Sequence, residues 1–181
     1  PREYEIDQLD VGNYAHKILE ELTNTFKERQ MRWADVPEVE FAETLKACAE
    51  AAREEQNKYT LNRHNENVLD LVEREVGLAA HAIRTQTGRA SLQPAESEHW
   101  FSREFTDGLT INGKIDRIDT AVIDGTLYFD IVDYKTGDPQ FKLLKLANGL
   151  SLQLMIYIIG VRELLGNGAE FAGANYLKIH L

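Results

Sequence analysis

The sequence predicts an α+β fold: a helical N-terminal half, then a half built of strands with one covering helix. Three observations predict it. Between Asp10 and Phe26, apolar residues recur at spacings of three and four, the period of one helix face. Near Ala95 the period switches to two, and the turn dipeptides Asp107-Gly108 and Asp124-Gly125 appear between alternating stretches, as in antiparallel hairpins. An apolar run, Gly149 to Leu165, is closed by Gly166-Asn167-Gly168 and reads as a buried helix with its stop signal.

Taken in order, the first helix presents Val11, Tyr14, Ala15, Ile18, Leu19, Leu22 and Phe26 on one face, with Asp10 as its expected N-cap. Arg29 to Glu38, holding Trp33 and Pro37, reads as a connection. Val39 to Tyr59 is rich in Ala and Glu and reads as a second helix. A third opens at Asn62 or Asn65, runs to about Thr85 and is closed by Thr87-Gly88-Arg89. Glu98 to Phe105 is an aromatic-rich strand, and Leu109 to Thr120 an alternating one. Leu127 to Lys135 is strongly apolar and ends in charge, the pattern of a central strand whose C-terminal end emerges at a functional edge. Phe171 to Leu181 is a last strand, and no internal repeat or low-complexity tract interrupts the pattern. The chain stops at or just after that strand, an ending that suggests a fragment of a larger protein.

A length of 181 residues fits one domain, here a helical part to about residue 90 and a sheet-and-helix part from about residue 95. Hydrophobic residues at 43% supply a core and argue against disorder. No apolar run approaches the roughly 20 residues that span a bilayer, so no membrane partner is expected, and the charged start Pro1-Arg2-Glu3-Tyr4-Glu5 is no signal peptide. The single cysteine, Cys48, excludes an internal disulfide framework and a Cys-based zinc site, and a reducing, cytoplasmic setting is the default. A net charge of −10 counts against a generic nucleic-acid binder. Its distribution softens that objection. Residues 1–112 carry 22 acidic and 13 basic side chains, whereas residues 113–181 carry 8 and 7.

Four features could carry chemistry. In Asp133-Tyr134-Lys135 the carboxylate and the ammonium sit at i and i+2, on one face of a strand, where they could hold a divalent cation and steady a hydrolytic water. A surface ion pair is the plainer reading of the tripeptide alone. Gly113-Lys114-Ile115-Asp116-Arg117-Ile118-Asp119 lies on the preceding strand, with Asp116 17 residues before Asp133. Antiparallel pairing brings Asp116 opposite the Asp133 region, and such oxygen clusters suit Mg²⁺ or Mn²⁺. The competing account, a solvated hairpin of alternating charge, explains Asp119 well and explains less well why so apolar a strand ends at Asp133. His16 lies on the first helix beside Ala15, Ile18 and Leu19; a histidine there is more often a core residue than a ligand, although its neutral imidazole can bind metal. Gln153 and Tyr157 share one face at i and i+4 within the apolar helix, either as polar tips at the core's edge or as contacts to the catalytic strand or the substrate.

The ordered set Gly12…His16, Gly113-Lys114-Ile115-Asp116-Arg117-Ile118-Asp119, Asp133-Tyr134-Lys135-Thr136-Gly137 and Gly149 to Tyr157 resembles the RecB-like branch of PD-(D/E)XK nucleases. The motif wording is closest to the C-terminal nuclease domain of the AddB/RexB subunit of bacterial helicase–nucleases, which process DNA ends for recombinational repair. The likeness spans about Tyr4 to Tyr176. It implies a restriction-endonuclease-like α/β/α core, a mixed sheet flanked by helices. It implies His16, Asp116 and Asp133 as side-chain metal ligands, with the Tyr134 backbone carbonyl beside them. Lys135 would orient the attacking water or stabilise the charged transition state, and Gln153 and Tyr157 match the family's Q-x-x-x-Y motif. Glu98 matches an acidic position before the hairpin, and Lys114, Lys142 and Lys145 are candidate contacts to the DNA backbone. The implied reaction is phosphodiester hydrolysis with Mg²⁺ or Mn²⁺. The implied partners are DNA and a helicase–nuclease subunit.

The chain departs from that family in one respect. The AddB family holds an iron–sulfur cluster on four cysteines, one before the first helix and three beyond the last strand. Cys48 matches none of them, so this chain alone cannot ligate a cluster. Rival readings are a catalytically silent module of the same fold, an α+β interaction domain, and a free-standing RecB-like nuclease of CRISPR-associated or phage type.

Overall fold

The first helix starts one turn earlier than expected. In the computed structural model, which describes residues 6–55, 63–104, 108–136, 151–166 and 168–180, α1 is Gln8–Glu28 and its N-cap is Asp7. The Asp7 carboxylate accepts from the Asp10 amide at 2.9 Å, and the Asp10 carboxylate accepts from the Asp7 amide at 3.4 Å. Asp10 is thus the third residue of a capping box rather than the cap. Two acids three apart both satisfy a cap pattern, and only the reciprocal pair tells which one stands outside the helix.

Two further helices, α2 (Glu38–Glu55) and α3 (Arg63–Thr87), pack against α1. The expected connection between α1 and α2 contains a short 3-10 turn, Trp33–Asp35, which buries Trp33. Its indole packs 5.6 Å from the Phe26 ring and 5.8 Å from that of Phe41. Arg84 of α3 fastens this connection: its guanidinium donates to the Val36 and Trp33 carbonyls, pairs with Glu38 and lies 5.1 Å above the Phe41 ring. The buried stripe of α1 (Tyr14, Ala15, Ile18, Leu19, Leu22, Phe26) is the one that its periodicity predicts, apart from Val11, which is half-buried. Tyr14 reaches the edge of this core, where its hydroxyl donates to Glu73 at 2.6 Å; burial and that carboxylate push its pKa up.

The second half is a four-stranded sheet in the order β1-β2-β3-β4, with β1 Gln93–Glu104, β2 Thr110–Ile123, β3 Thr126–Lys135 and β4 Glu170–Lys178. β1 pairs antiparallel with β2, and β2 with β3. The β2–β3 turn is Asp124-Gly125, with φ of 51° and 80° closing the Ile123↔Thr126 pair, as a two-residue turn of the primed type requires. β4 runs parallel to β3, because contacts advance along both strands together: Phe129 with Phe171, Asp130 with Asn175, then the Lys135 carbonyl with the Ile179 amide. The sheet is therefore mixed. α4 (Ser151–Leu165) covers β1 and β2. The Phe101 ring lies so close to Gly113 of β2 and Gly160 of α4 that a Cβ would come within 2.4 Å and 2.7 Å of it. Around it gather Ile115, Ile118, Phe129, Ile131 and Val161. β1, β2 and β3 are longer than the sequence pattern predicts, β1 most of all, because its first five residues carry no period-two signal, whereas β4, expected from Phe171 to Leu181, is Glu170–Lys178.

The chain divides into two units. One is built on α1–α3 and includes Tyr134, Lys135 and the residues from Leu177; the other is built on β1, β2, β3 to Asp133, α4 and β4 to Tyr176.

Candidate metal centre

In the sheet unit, three carboxylates line up across three strands. On β1 and β2 the pairs Ser97↔Arg117 and His99↔Ile115 bracket Glu98 and set it across from Asp116. On β2 and β3 the last ladder pair among the described residues is Arg117↔Val132, and one further step sets Asp116 across from Asp133. A carboxylate oxygen of Glu98 and one of Asp116 lie within 4.8 Å of each other. Oxygen Oδ2 of Asp133 is shut off from solvent, and the Glu98 side chain is only 7% exposed. The expectation that the hairpin brings Asp116 opposite the Asp133 region therefore agrees with the register.

The sequence matches Glu98 to an acidic position but gives it no role from its surroundings. It is among the few non-glycine residues with positive φ, 50°, a conformation that costs an L-residue about 1–2 kcal/mol. The ladder also shifts register between Pro94 and Glu96. Together these break the alternation of β1, so period-two reasoning cannot say which face Glu98 takes. Strain of this kind gathers at functional sites. The Glu98 carboxylate is bridged by Lys114, whose ammonium also lies 5.9 Å from the centre of the Trp100 ring.

Tyr134 and Lys135 follow Asp133 directly on β3 and belong to the helical unit. Tyr134 is 3% exposed. Its ring meets the His16 imidazole edge-on, with centroids 5.4 Å apart, so His16 of α1 lies against the middle residue of the Asp133-Tyr134-Lys135 motif. Gly12, one turn earlier on α1, fits Thr136 closely: a Cβ there would stand 3.3 Å from the threonine hydroxyl. The Lys135 carbonyl is held by the Ile179 amide at 2.9 Å, which fixes the backbone beneath the lysine.

A second charged group lies three residues from the first on each strand. Asp119 and Asp130 are direct ladder partners, and both are 6% exposed. The Arg117 guanidinium grips Asp119 at two points, 2.7 Å and 3.0 Å, while Asn175 of β4 donates to Asp130 at 2.6 Å. Burial holds both carboxyls above the usual range, Asp119 against the opposing pull of Arg117 and Asp130 against the hydrogen bond from Asn175. This corrects the reading of Asp119 as a solvated hairpin charge. Its countercharge is the arginine two residues before it on the same strand face, and that i, i+2 spacing was the signal available in the sequence.

Tyr157 packs edge-on against Phe101 at 6.1 Å, beside the sheet core, as a polar-tipped core residue does. The side chain of Gln153, with Lys142 and Lys145, lies outside the described residues. Cys48 is buried in α2, where burial pushes its thiol up and leaves it a small core side chain. No helix among the described residues is long and apolar enough to cross a membrane.

The donors fit a hard divalent cation. Carboxylate oxygens predominate, and two of them approach closely enough to share an ion with ligand distances of about 2.0–2.6 Å. Two like charges so near repel unless a cation lies by them.

A family model described as the PD-(D/E)XK nuclease superfamily matches residues 1–181. Among curated proteins, the chain is 29% identical over 168 residues to a Clostridium perfringens protein, covering 86% of this chain and 14% of that one. It is 30% identical over 166 residues to one from Lachnoclostridium phytofermentans, covering 91% and 14%, and 25% identical over 194 residues to one from Lactobacillus gasseri, covering 98% and 16%. Each of the three is named as a subunit of an ATP-dependent helicase/deoxyribonuclease. The chain thus spans about one seventh of the length of these relatives.

Proposed function

The chain belongs to the PD-(D/E)XK nuclease superfamily, and on that premise we propose that it is a metal-dependent deoxyribonuclease domain that hydrolyses DNA phosphodiester bonds. The observation that carries the reading is the approach of the Glu98 and Asp116 carboxylates to within 4.8 Å of each other, on a hairpin whose ladder ends one residue short of Asp133, with Lys135 two residues further along β3. In this proposal Asp116, Asp133 and His16 hold Mg²⁺ or Mn²⁺, helped by the Tyr134 carbonyl and with Glu98 added to the set. When bound, such an ion polarises the scissile phosphate and lowers the pKa of a bound water. The chain's own residues do the rest. The ladder of β1 and β2 holds carboxylate oxygens of Glu98 and Asp116 within 4.8 Å of each other before substrate arrives, which supports a site needing little reorganisation during reaction. Lys135 sets positive charge where negative charge builds on the phosphate oxygens, and its fixed carbonyl limits the backbone's freedom to carry it away. Tyr134 packs against the His16 ring and restrains its orientation, as outer partners of metal-bound histidines do. Gln153, Tyr157, Lys142 and Lys145 would contact substrate or support the site from α4 and the residues before it.

The relatives' names, each a subunit of an ATP-dependent helicase/deoxyribonuclease, support a larger setting in which this domain works within a helicase–nuclease. That it processes DNA ends as an exonuclease beside a helicase partner is part of the proposal and rests on the motif resemblance. The decisive test is cleavage of end-labelled linear DNA with Mg²⁺ or Mn²⁺. Wild type should cut, and Lys135→Ala should lose at least roughly 10²–10³-fold in rate while still binding Mn²⁺ in calorimetry. Asp133→Asn should lose the Mn²⁺ signal itself. A wild-type chain that neither cuts nor binds Mn²⁺ would point to a silent module of the fold.

A further inference from the structure

Among the described residues, Trp100 is the most exposed of the large aromatic side chains on the sheet, ahead of Tyr176 on β4 at 39%. The Phe101, Phe129 and Tyr157 rings are packed into the sheet core, whereas Trp100 is 69% exposed on β1, the edge strand. Its ladder partner is Lys114, whose ammonium lies 5.9 Å from the indole centre and also bonds the Glu98 carboxylate. The pair Trp100↔Lys114 is two residues along the ladder from the Glu98–Asp116 position, a distance of about 7 Å. An open π-face, a cation and the carboxylates therefore follow one another along β1 and β2.

We propose that Trp100 is a stacking platform for an unpaired base of single-stranded DNA, with Lys114 receiving the adjoining phosphate, so that the strand leads into the carboxylate row. The proposal rests on the nuclease reading above and adds to it the form of the substrate. A base can offer its face to an indole only when it is unstacked from its neighbours, so the platform selects single strands over duplex. A phosphate gives the Lys114 ammonium a partner of the charge it already seeks in Glu98. An exposed edge-strand tryptophan is otherwise a liability for association.

The chain's two tryptophans make the test direct, because Trp33 is 2% exposed and Trp100 is open to quenching. Intrinsic fluorescence is followed while a short oligothymidylate is titrated into the protein in EDTA, where no divalent ion supports hydrolysis. Quenching should saturate in wild type and vanish in Trp100→Phe, which keeps a stacking ring but removes the reporter. Followed by anisotropy of a labelled strand, Trp100→Ala should weaken binding between about fivefold and about a hundredfold, and Trp100→Phe by much less. An abasic strand of equal length should bind wild type and Trp100→Ala alike. Equal affinity of wild type and Trp100→Ala for the oligothymidylate, or equal dependence on Trp100 for duplex and single strand, would overturn the platform. Cleavage of end-labelled DNA with Mn²⁺, run in parallel, keeps the two ideas apart: wild-type cutting with no role for Trp100 in binding removes the platform alone, and Trp100-dependent binding with no cutting removes the nuclease reading alone.

Discussion

Two pairs of aspartates face each other across β2 and β3, and they have opposite fates. Asp119 and Asp130, in the body of the hairpin, are buried with an internal countercharge in Arg117 and a hydrogen bond from Asn175. Asp116 and Asp133, one step past the last ladder pair, stand where the two strands stop pairing, with Glu98 added from β1. The sequence chemistry of the two pairs is the same, and the fold assigns them different work by what it sets beside them. A buried carboxylate pair with its own arginine is finished as structure. Carboxylates at the end of a ladder, with Lys114 at one end and Lys135 beyond the other, are where the proposed function would have a cation and a phosphate bind.

The comparison is broken most forcefully at Arg117. Arg117→Ala should cost about 3–5 kcal/mol of folding stability at pH 7, since it leaves Asp119 buried without its partner. Urea unfolding measures this, and a loss below about 1 kcal/mol would mean that Arg117 is not the countercharge. Gly113→Ala acts at the same sheet without touching either aspartate pair. Its methyl group would enter the Phe101 ring, and overpacking of that kind costs about 1–3 kcal/mol. The fraction that still folds should bind Mn²⁺ with wild-type affinity. Weakened Mn²⁺ binding would mean that the fit between β1 and β2 also tunes the carboxylate row.

The end pair was legible in the sequence and the middle pair was not. Asp133 could be read because it closes a strongly apolar strand, and Asp116 because the Asp124-Gly125 turn fixes which residues of β2 and β3 can meet. Both are consequences of local pattern. The burial of Asp119 depends on Arg117 folding back over it and on β4 covering Asp130 from more than 40 residues away, and alternation alone reads such a residue as solvated. Glu98 escaped a firm assignment because its positive φ and the adjacent register shift destroy the pattern that would have placed it. Trp100 looked like any other member of an aromatic-rich strand, and only its exposure at a sheet edge sets it apart. The helical half was legible as helices because its buried stripe keeps a strict period. The cap of α1 was not, because Asp7 and Asp10 satisfy the same rule.

A pH series sharpens the contrast further. Burial raises the carboxyl pKa of both Asp119 and Asp130. A carboxyl raised in the folded state adds stability in full below its unfolded value of about 4 and loses it as pH climbs through the folded value. The stability of wild type minus that of Asp130→Asn should therefore shrink as pH rises from about 4 towards 7, measured by urea unfolding at each pH. Carboxylates remote from Asp130 cancel in the difference, and Asp119, whose carboxyl the Asp130 charge helps to raise, adds to the same trend. A difference that grows with pH would mean that the hydrogen bond from Asn175 and the charge on Arg117 outweigh burial.

The smallest effect is also the one of opposite sign. Asp116→Asn removes a charge that lies within 4.8 Å of the Glu98 carboxylate, so in EDTA the variant should be no less stable than wild type and more stable by up to about 1 kcal/mol. Adding Mn²⁺ should reverse the order, because only a protein that binds the ion when folded is stabilised by it, in proportion to the logarithm of the ion concentration over the dissociation constant. Thermal unfolding with and without Mn²⁺ reads both halves of the prediction. A wild-type chain that outlasts Asp116→Asn in EDTA would make Asp116 a structural carboxylate like Asp119, and the contrast between the two pairs would fail at its centre.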